Sequence, residues 1–283
     1  MNTPMILRKN TGDCDISVFN VTKSKTIMDW PAKNLDMFSQ HSPLQNNLLA
    51  SLPDADFNRL RPHLELVRMP MGKVMYDFSR RLDYIYFPIT SILSMLYVLA
   101  DGKSSETAMV GNEGMLGISL LLGGENTPSC GVVRNAGFGY KIKIHLLKNE
   151  FNQNPLFRDI LLRYMQAMMT QVTQTAVCNR HHLVEQQLCR CILLSLDRIS
   201  SKSLSMTQEL ISNILGVRRE GITEAAGKLQ RNGLISYNRG HIEVIDRLGL
   251  EESVCECYSV VKAEYARLLP ASNSYLTFRK QKS

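Results

Sequence analysis

Thr207-Gln208-Glu209-Leu210-Ile211-Ser212-Asn213-Ile214-Leu215-Gly216-Val217-Arg218-Arg219-Glu220 decides how this chain is read. Thr207 stands where a helix N-cap belongs, and Glu209 falls in the first turn, where the helix dipole favours a carboxylate. Ile211, Ile214 and Leu215 recur at i, i+3, i+4 and make one apolar face. Gly216 breaks the pattern. A second helical pattern follows, with Ile222, Ala225, Ala226 and Leu229 at i, i+3, i+4, i+7, and Asn232-Gly233 is a stop signal. Leu234-Ile235-Ser236-Tyr237 and His241-Ile242-Glu243-Val244-Ile245 then flank Asn238-Arg239-Gly240, which predicts a small β-ribbon. Two short helices joined at a glycine and followed by a hairpin have the layout of a winged helix-turn-helix.

The apolar stripe of the second helix faces its domain core, which leaves Arg218, Arg219, Glu220, Thr223, Glu224 and Lys228 on or near the outer face. An arginine at a helix N-terminus is poorly placed for the dipole. The cost is offset if that end meets a phosphate or a guanine edge. Arginine fits guanine O6 and N7 bidentately, and a carboxylate accepts from cytosine N4, so Arg219 and Glu220 can read adjacent bases. Lys228 is expected on a phosphate. A solvated Arg–Glu pair alone would be worth little, but the turn, the stripe and the wing around this one point to DNA.

The chain as a whole, 283 residues long, suits that partner. The formal net charge is +7, which fits a polyanion, and a hydrophobic content of 44% supplies real cores. Met1-Asn2-Thr3-Pro4 leads into no apolar leader, and the longest apolar run, residues 91–100, has strand length. The seven cysteines form no disulfide framework. These features predict a cytoplasmic protein with no membrane contact.

Residues 1–42 are polar and aperiodic and read as a flexible extension. Ser42-Pro43-Leu44 opens a helical stretch with Leu48, Leu49 and Leu52, and after Pro53 a short helix carries Phe57, Leu60 and Leu64. Short apolar runs at 84–87, 92–98 and 131–133 predict strands. Turn signals separate them at Met71-Gly72-Lys73, Ser79-Arg80-Arg81, Ala100-Asp101-Gly102 and Asn135-Ala136-Gly137, the texture of a sandwich or barrel. Between Gly111 and Gly124 lies a glycine-bounded segment with one helical turn, a common shape for a ligand-cradling loop. From Leu156 a long helix carries Ile160, Tyr164, Ala167, Met168 and Val172 at near-heptad spacing, which predicts a dimer seam. Met165, Met168 and Met169 read as adaptable packing at that seam.

A small barrel, a glycine-bounded loop, a long helix and a C-terminal winged helix resemble, in that order, the Crp/Fnr family of bacterial transcription regulators. The resemblance runs from about residue 43 to about residue 250 and is most specific over residues 207–220. The tail from Cys255-Glu256-Cys257-Tyr258 to Arg267-Leu268-Leu269-Pro270 is similar to one subgroup. The resemblance implies an α+β chain: a β-roll or jelly-roll-like barrel of cyclic-nucleotide-binding type, a dimerisation helix and a winged helix-turn-helix. The corresponding divisions are 1–42, 43–154, 155–187, 188–270 and a tail over 271–283. The family's base-reading Arg-Glu pair falls on Arg219 and Glu220, and Thr207 falls at its phosphate contact. Arg239 sits on the wing. The partners implied are double-stranded DNA with a palindromic operator, a second copy of the chain, and RNA polymerase. Where the most studied member has a further arginine, this chain has Glu224.

The barrel departs from the resemblance. Members that bind cyclic AMP carry a glutamate for the ribose and an Arg-Ser or Arg-Thr pair for the phosphate. Aligned on Leu116-Gly117 and Val132-Val133, those places hold Ile118 and Ser129-Cys130. With Gly114 and Gly117 these are the effector-pocket candidates, and they lack the charge a buried phosphate needs. Arg134 lies past the required place and is expected on the barrel exterior. The family's iron–sulfur mode needs about four thiolates, and the extension holds only Cys14.

Cys178, His181, His182, Cys189 and Cys191 lie close in sequence, and Cys178 with His181 or His182 can share a helix face. No C-x-x-C pair accompanies them, so buried small hydrophobes are the simpler expectation. Cys255 and Cys257 point to opposite faces of a strand, or about 200° apart on a helix, a poor chelate either way. Neither a metal nor a cofactor is expected. No G-x-S-x-G, H-E-x-x-H, G-K-[ST] phosphate loop or nicotinamide fingerprint is present, so an enzyme is not expected. The competing class is an interaction protein that binds a partner through the barrel and uses its helix-turn-helix for protein contacts.

Overall fold

A computed structural model describes residues 41–269 apart from 78–81, 100, 102, 125–126 and 200. The extension up to residue 40 with Cys14, the turn at Ser79-Arg80-Arg81 and the tail over 271–283 therefore lie outside the described residues. His41 and Ser42 are held at the start. Tyr140 Oη donates to the His41 carbonyl at 2.5 Å, and Ser42 Oγ accepts from Leu44 N at 3.3 Å.

Two short helices, α1 (Asn47–Ala50) and α2 (Asp54–Leu60), precede seven strands. These are β1 (Glu65–Met69), β2 (Val74–Tyr76), β3 (Tyr84–Pro88), β4 (Ile92–Val98), β5 (Ser104–Val110), β6 (Cys130–Asn135) and β7 (Gly137–Lys143). They pair antiparallel in two sheets, ordered β1-β7-β3 and β2-β6-β4-β5. Strand alternation separates two cores. Leu93, Val110 and Val133 pack with Ile85, Phe87, Leu116 and Tyr140 inside the barrel. Ile92, Leu96, Cys130 and Val132 face the other way, onto α5 (Val184–Leu196) and the C-terminal elements.

After α3 (Ile144–Gln153), the long helix α4 runs over Pro155–His181. Asn154 caps it, accepting from Leu156 N and Phe157 N at 3.1 and 3.2 Å. It ends at His181, not at 187. His182 and Leu183 are extended, and α5 restarts the chain in a new direction. The predicted seam is corrected here. Ile160, Tyr164, Ala167 and Met168 are all buried within their own chain, and only Val172 of that set is exposed. Heptad spacing identifies a buried face without saying what buries it. Here that is the barrel's own loop and a last helix, α9 (Glu256–Leu268), which lies along α4. Tyr164 Oη donates to the Met115 carbonyl at 2.9 Å, and its ring stands edge-on to Tyr265 at 6.5 Å.

The C-terminal part contains β8 (Ser203–Ser205), α6 (Gln208–Leu215), α7 (Arg219–Arg231), β9 (Ile235–Asn238), β10 (His241–Val244) and α8 (Arg247–Ser253). The wing has three strands, ordered β8-β10-β9, and not two. β8 offers one buried residue, Leu204, too little for a periodic signal. Among the described residues no helix is long and apolar enough to cross a membrane.

Arg134 points away from the barrel interior, as expected, but its exterior is covered. It is 1% exposed, beneath α5. Nη1 lies 3.1 Å from Glu106 Oε1, and Nη2 donates to Ser195 Oγ at 2.6 Å, while Ser94 Oγ donates to Glu106. Breaking a buried pair strands a charge, at about 3–5 kcal/mol, whereas apolar replacement of both partners is close to neutral. Arg134→Met should therefore lower stability to urea by about 3–5 kcal/mol, and adding Glu106→Leu should restore most of it. A single variant as stable as wild type would show that the pair is not buried in solution.

Candidate nucleic-acid interface

Thr207 Oγ1 accepts from Leu210 N at 3.1 Å and so caps α6. Leu210, Ile211, Ile214 and Leu215 are buried, and Gly216 ends the helix at φ 67°, a left-handed backbone that glycine adopts without strain. The chain turns through Val217, whose N–H donates to the Ser212 carbonyl at 3.0 Å. Arg218 is the N-cap of α7 and supplies no side-chain cap. The first amide groups of α7 are thus left without a side-chain acceptor, beside two arginines. Ile222, Ala225, Ala226 and Leu229 face inward, and Arg218, Arg219, Glu220, Thr223 and Glu224 are exposed.

The wing returns to the start of α6. Met206 N donates to the Gly240 carbonyl at 2.7 Å, and Tyr237 Oη to the Met206 carbonyl at 2.9 Å. Burial pushes the Tyr237 phenol up to about 12, so it remains a donor. Arg239 (φ 46°) and Gly240 (φ 81°) make the two-residue turn with both residues left-handed. Between them these elements enclose an open groove of about 330 Å³, lined by Thr207, Gln208, Glu209, Arg219, Tyr237 and Arg239 among others. Two guanidinium groups, a hydroxyl and an open helix end suit an anion.

Two of the expected contacts are otherwise engaged. Thr223 Oγ1 lies 3.0 Å from Gln208 Oε1 and 3.1 Å from the Arg219 carbonyl, which ties α7 to α6. Lys228 Nζ sits 2.5 Å from Glu185 Oε2 on α5 and does not line the groove. Nothing in the sequence of α7 alone places a carboxylate of another helix there.

The five effector-pocket candidates are not brought into one cavity. Ile118 opens a 3-10 turn in the barrel core, whereas Cys130 belongs to the opposite face of its sheet, in the core with α5. Ser129 Oγ meets Thr127 Oγ1 at 2.9 Å. Gly117, at φ 107°, turns the chain into Ile118. A Cβ on Gly114 would stand 2.2 Å from the Tyr164 ring, so this glycine admits a side chain of α4, not a ligand. The neighbouring Glu113 accepts from Arg198 Nε at 2.7 Å, and Arg198 Nη2 donates to Gln171 Oε1 at 2.7 Å. Sequence reasoning missed this connection between the loop and the end of α5, because its members are 85 residues apart.

The cysteine reading also needs correction. Cys178, His182, Cys255 and Cys257 come together, with one ligand atom of each within 4.8 Å of the others. Cys255 is the extended N-cap of α9 and Cys257 lies in its first turn, so neither strand nor helix angles apply to the pair. His181 is exposed, and Cys191 lies instead 3.2 Å from Arg134 Nη2.

Residues 186–253, from α5 to α8, match the model of the Crp-like helix-turn-helix domain. This part of the chain is a Crp-like helix-turn-helix domain. No curated protein sequence matches the chain. Solved structures share the fold over about two thirds to three quarters of the chain. A protein from Eubacterium rectale described as a Crp/Fnr-family regulator superposes with a TM-score of 0.57 at 17% identity, over 74% of this chain and 96% of its own. FixK2 from Bradyrhizobium japonicum gives 0.58 at 15%, over 68% and 98%. The c-di-GMP-responsive regulator CLP of Xanthomonas campestris gives 0.55 at 15%, over 68% and 99%. The chain thus joins a Crp-like domain to a barrel and long helix in the Crp/Fnr arrangement. The cap at the start of the Crp-like domain can be tested directly. Thr207→Ala should cost about 1 kcal/mol of stability, read from thermal unfolding. A loss of zero would show that Leu210 N finds another acceptor.

Proposed function

We propose that this Crp/Fnr-type protein is a sequence-specific DNA-binding transcription regulator that works as a homodimer and does not use a cyclic nucleotide. The observation that carries the reading is the uncovered start of α7, where Arg218, Arg219 and Glu220 stand exposed beside the groove that holds Thr207 and Arg239. Arg219 and Glu220 read base edges in the major groove. Thr207, Arg239 and the open amides of α7 hold backbone phosphate. Glu224 adds a carboxylate to the same face and selects against a phosphate there.

A palindromic site requires two copies related by a twofold axis. The inner face of α4 is filled, so the second copy meets the outer one. Leu162, Met169, Val172 and Val177 are exposed there, Met169 by 63%. At 100° per residue Leu162, Met169 and Val177 lie about 140–160° round the helix from Tyr164, and Val172 stands on the flank at about 80°. Two such faces make an apolar seam only if both copies present it, which is the isologous case.

The glycine-bounded loop is occupied by Tyr164 and engaged by Arg198. Ile118 and the Ser129-Cys130 pair offer no charge to a cyclic phosphate. Regulation then acts on the population of DNA-competent dimers without nucleotide.

Selection of bound sequences from random duplexes, followed by footprinting, tests the reading, and a twofold-symmetric site is the expected result. On that site Arg219→Ala should cost about 1–3 kcal/mol and relax one position per half-site. Equal loss on cognate and random DNA would remove the base-reading role. Met169→Glu should sediment as a monomer and lose operator binding. Met168→Glu, by contrast, should unfold more easily, because its site is buried inside one chain. Calorimetry should find cyclic AMP and cyclic GMP binding no tighter than roughly millimolar, about 4 kcal/mol. Micromolar binding would overturn the nucleotide-free reading.

A further inference from the structure

At the join between α4 and α5, the end of the long helix meets the start of α9. Cys178 lies in the last turn of α4 and His182 is its C-cap, one helical turn later. Cys255 is the N-cap of α9, and Cys257 follows two residues on. Cys178 Sγ and Cys255 Sγ are 3.6 Å apart, as are Cys257 Sγ and His182 Nδ1. From this geometry we infer that Cys178, His182, Cys255 and Cys257 form a closed tetrahedral Zn²⁺ site that fastens α9 to the α4–α5 join.

The distances fit one ion. With metal–sulfur bonds of about 2.3 Å, the sulfur–sulfur edge of a tetrahedron is about 3.8 Å, and with metal–nitrogen bonds of about 2.05 Å the sulfur–nitrogen edge is about 3.6 Å. An iron–sulfur cluster spreads its thiolates over separate irons, which a group this tight does not allow. Three cysteines and one histidine are a common structural zinc set, and with four protein ligands no position remains for water or substrate.

The surroundings fit as well. His182 directs Nδ1 at Cys257 and Nε2 at Glu256 Oε2, 3.4 Å away. A ligating histidine usually donates its other ring N–H to a carboxylate, which fixes the ring. Gln187 Nε2 donates to the carbonyls of Cys178 and His182, at 3.4 and 2.9 Å, and so holds the turn that carries both. Cys255 and Cys257 stand at the N-terminus of α9, where the helix dipole favours the net negative charge of a zinc–thiolate group. Zn²⁺ with three thiolates carries a net charge of −1. Arg190 is buried beside the group with Nε unpartnered, and it supplies the balancing charge. Without an ion, burial pushes the Cys178 thiol up to about 12 and Cys257 up to about 11, with Arg190 acting the other way. Zinc binding displaces protons from these thiols to solvent as the zinc–sulfur bonds form.

Elemental analysis of the full-length protein, purified reduced, should find about one zinc per chain. After chelator stripping, Co²⁺ should give the intense visible bands of a tetrahedral ion and a near-ultraviolet thiolate charge-transfer band. Replacing Cys255 and Cys257 together by serine should lower bound metal at least tenfold. Cys189→Ser, in the same region but outside the four, should leave it unchanged. Glu256→Ala should weaken zinc affinity by about tenfold. The cobalt spectrum of the wild type does not depend on how well any variant folds. Weak octahedral cobalt bands, no metal in the reduced protein, or a Cys178–Cys255 disulfide in place of metal would each overturn the site.

Discussion

Arg134 and Arg198 both carry their charges into the seam between the barrel and α5, and a barrel carboxylate meets each of them. Glu106 meets Arg134 at 3.1 Å and Glu113 meets Arg198 at 2.7 Å. Removing four charges from water is costly, and well-packed hydrophobic groups in their place would hold the seam as firmly. What Arg198 with Glu113, and Arg134 with Ser195, add across the seam is register. The seam is otherwise lined by Ile92, Leu96, Val132, Ile192 and Leu193, a surface on which one helix could slide. A shift of α5 by one turn would part Arg198 from Glu113 and take Ser195 away from Arg134, whose pair with Glu106 lies within the barrel sheet itself. The barrel and the helix-turn-helix are therefore docked in one arrangement, and a change in their relation has to break the Arg198–Glu113 pair and the Arg134–Ser195 hydrogen bond together.

That coupling passes through the glycine-bounded loop. Glu113 and Gly114 are adjacent, and their tasks differ. Glu113 reaches Arg198, and Gly114 lacks a side chain so that Tyr164 can lie against the backbone. The phenol of Tyr164 then donates to Met115 one residue on. Three consecutive residues of the loop are thus committed to α4 and α5. A ligand entering here would have to displace an aromatic ring and expose the Met115 carbonyl. The loop keeps the shape of a cradle, and its contents come from the same chain.

Local patterning in the sequence was enough to find the helix-turn-helix, because each of its signals is short in range. The Thr207 cap, the Ile211–Ile214–Leu215 face and the left-handed Gly216 all act within a turn or two. Strand runs at 84–87 and 92–98 were legible for the same reason. What the sequence left open involves partners far along the chain. The stripe on α4 is apolar whether its cover is a second copy or residues 256–268 of its own chain. Arg134 does point out of the barrel, yet no local pattern announces that α5 lies over it. Lys228 looks like a free cation until Glu185, 43 residues earlier, is placed beside it. Cys255 and Cys257 were judged by the angles of regular elements, although one of them sits at a cap where those angles end.

The last helix explains why these long-range contacts agree. α9 runs antiparallel along α4, from Cys255 beside Cys178 to Tyr265 beside Tyr164, with Gln166 and Glu264 at 3.4 Å between them. Tyr265 also lies under the Arg198 guanidinium, 5.7 Å from it. One helix thus touches the ring that fills the loop, the arginine that holds the loop to α5, and the cysteine at the end of α4. Because α9 occupies the inner flank of α4, the chain hides its most regular stripe from other molecules. The face left outside is the less regular one, Leu162, Met169, Val172 and Val177. A partner copy seated there, as proposed, would bear on a helix whose opposite side is already bound to loop, seam and tail, so that displacement of α4 at that surface would reach the helix-turn-helix through packed contacts and not through a flexible linker.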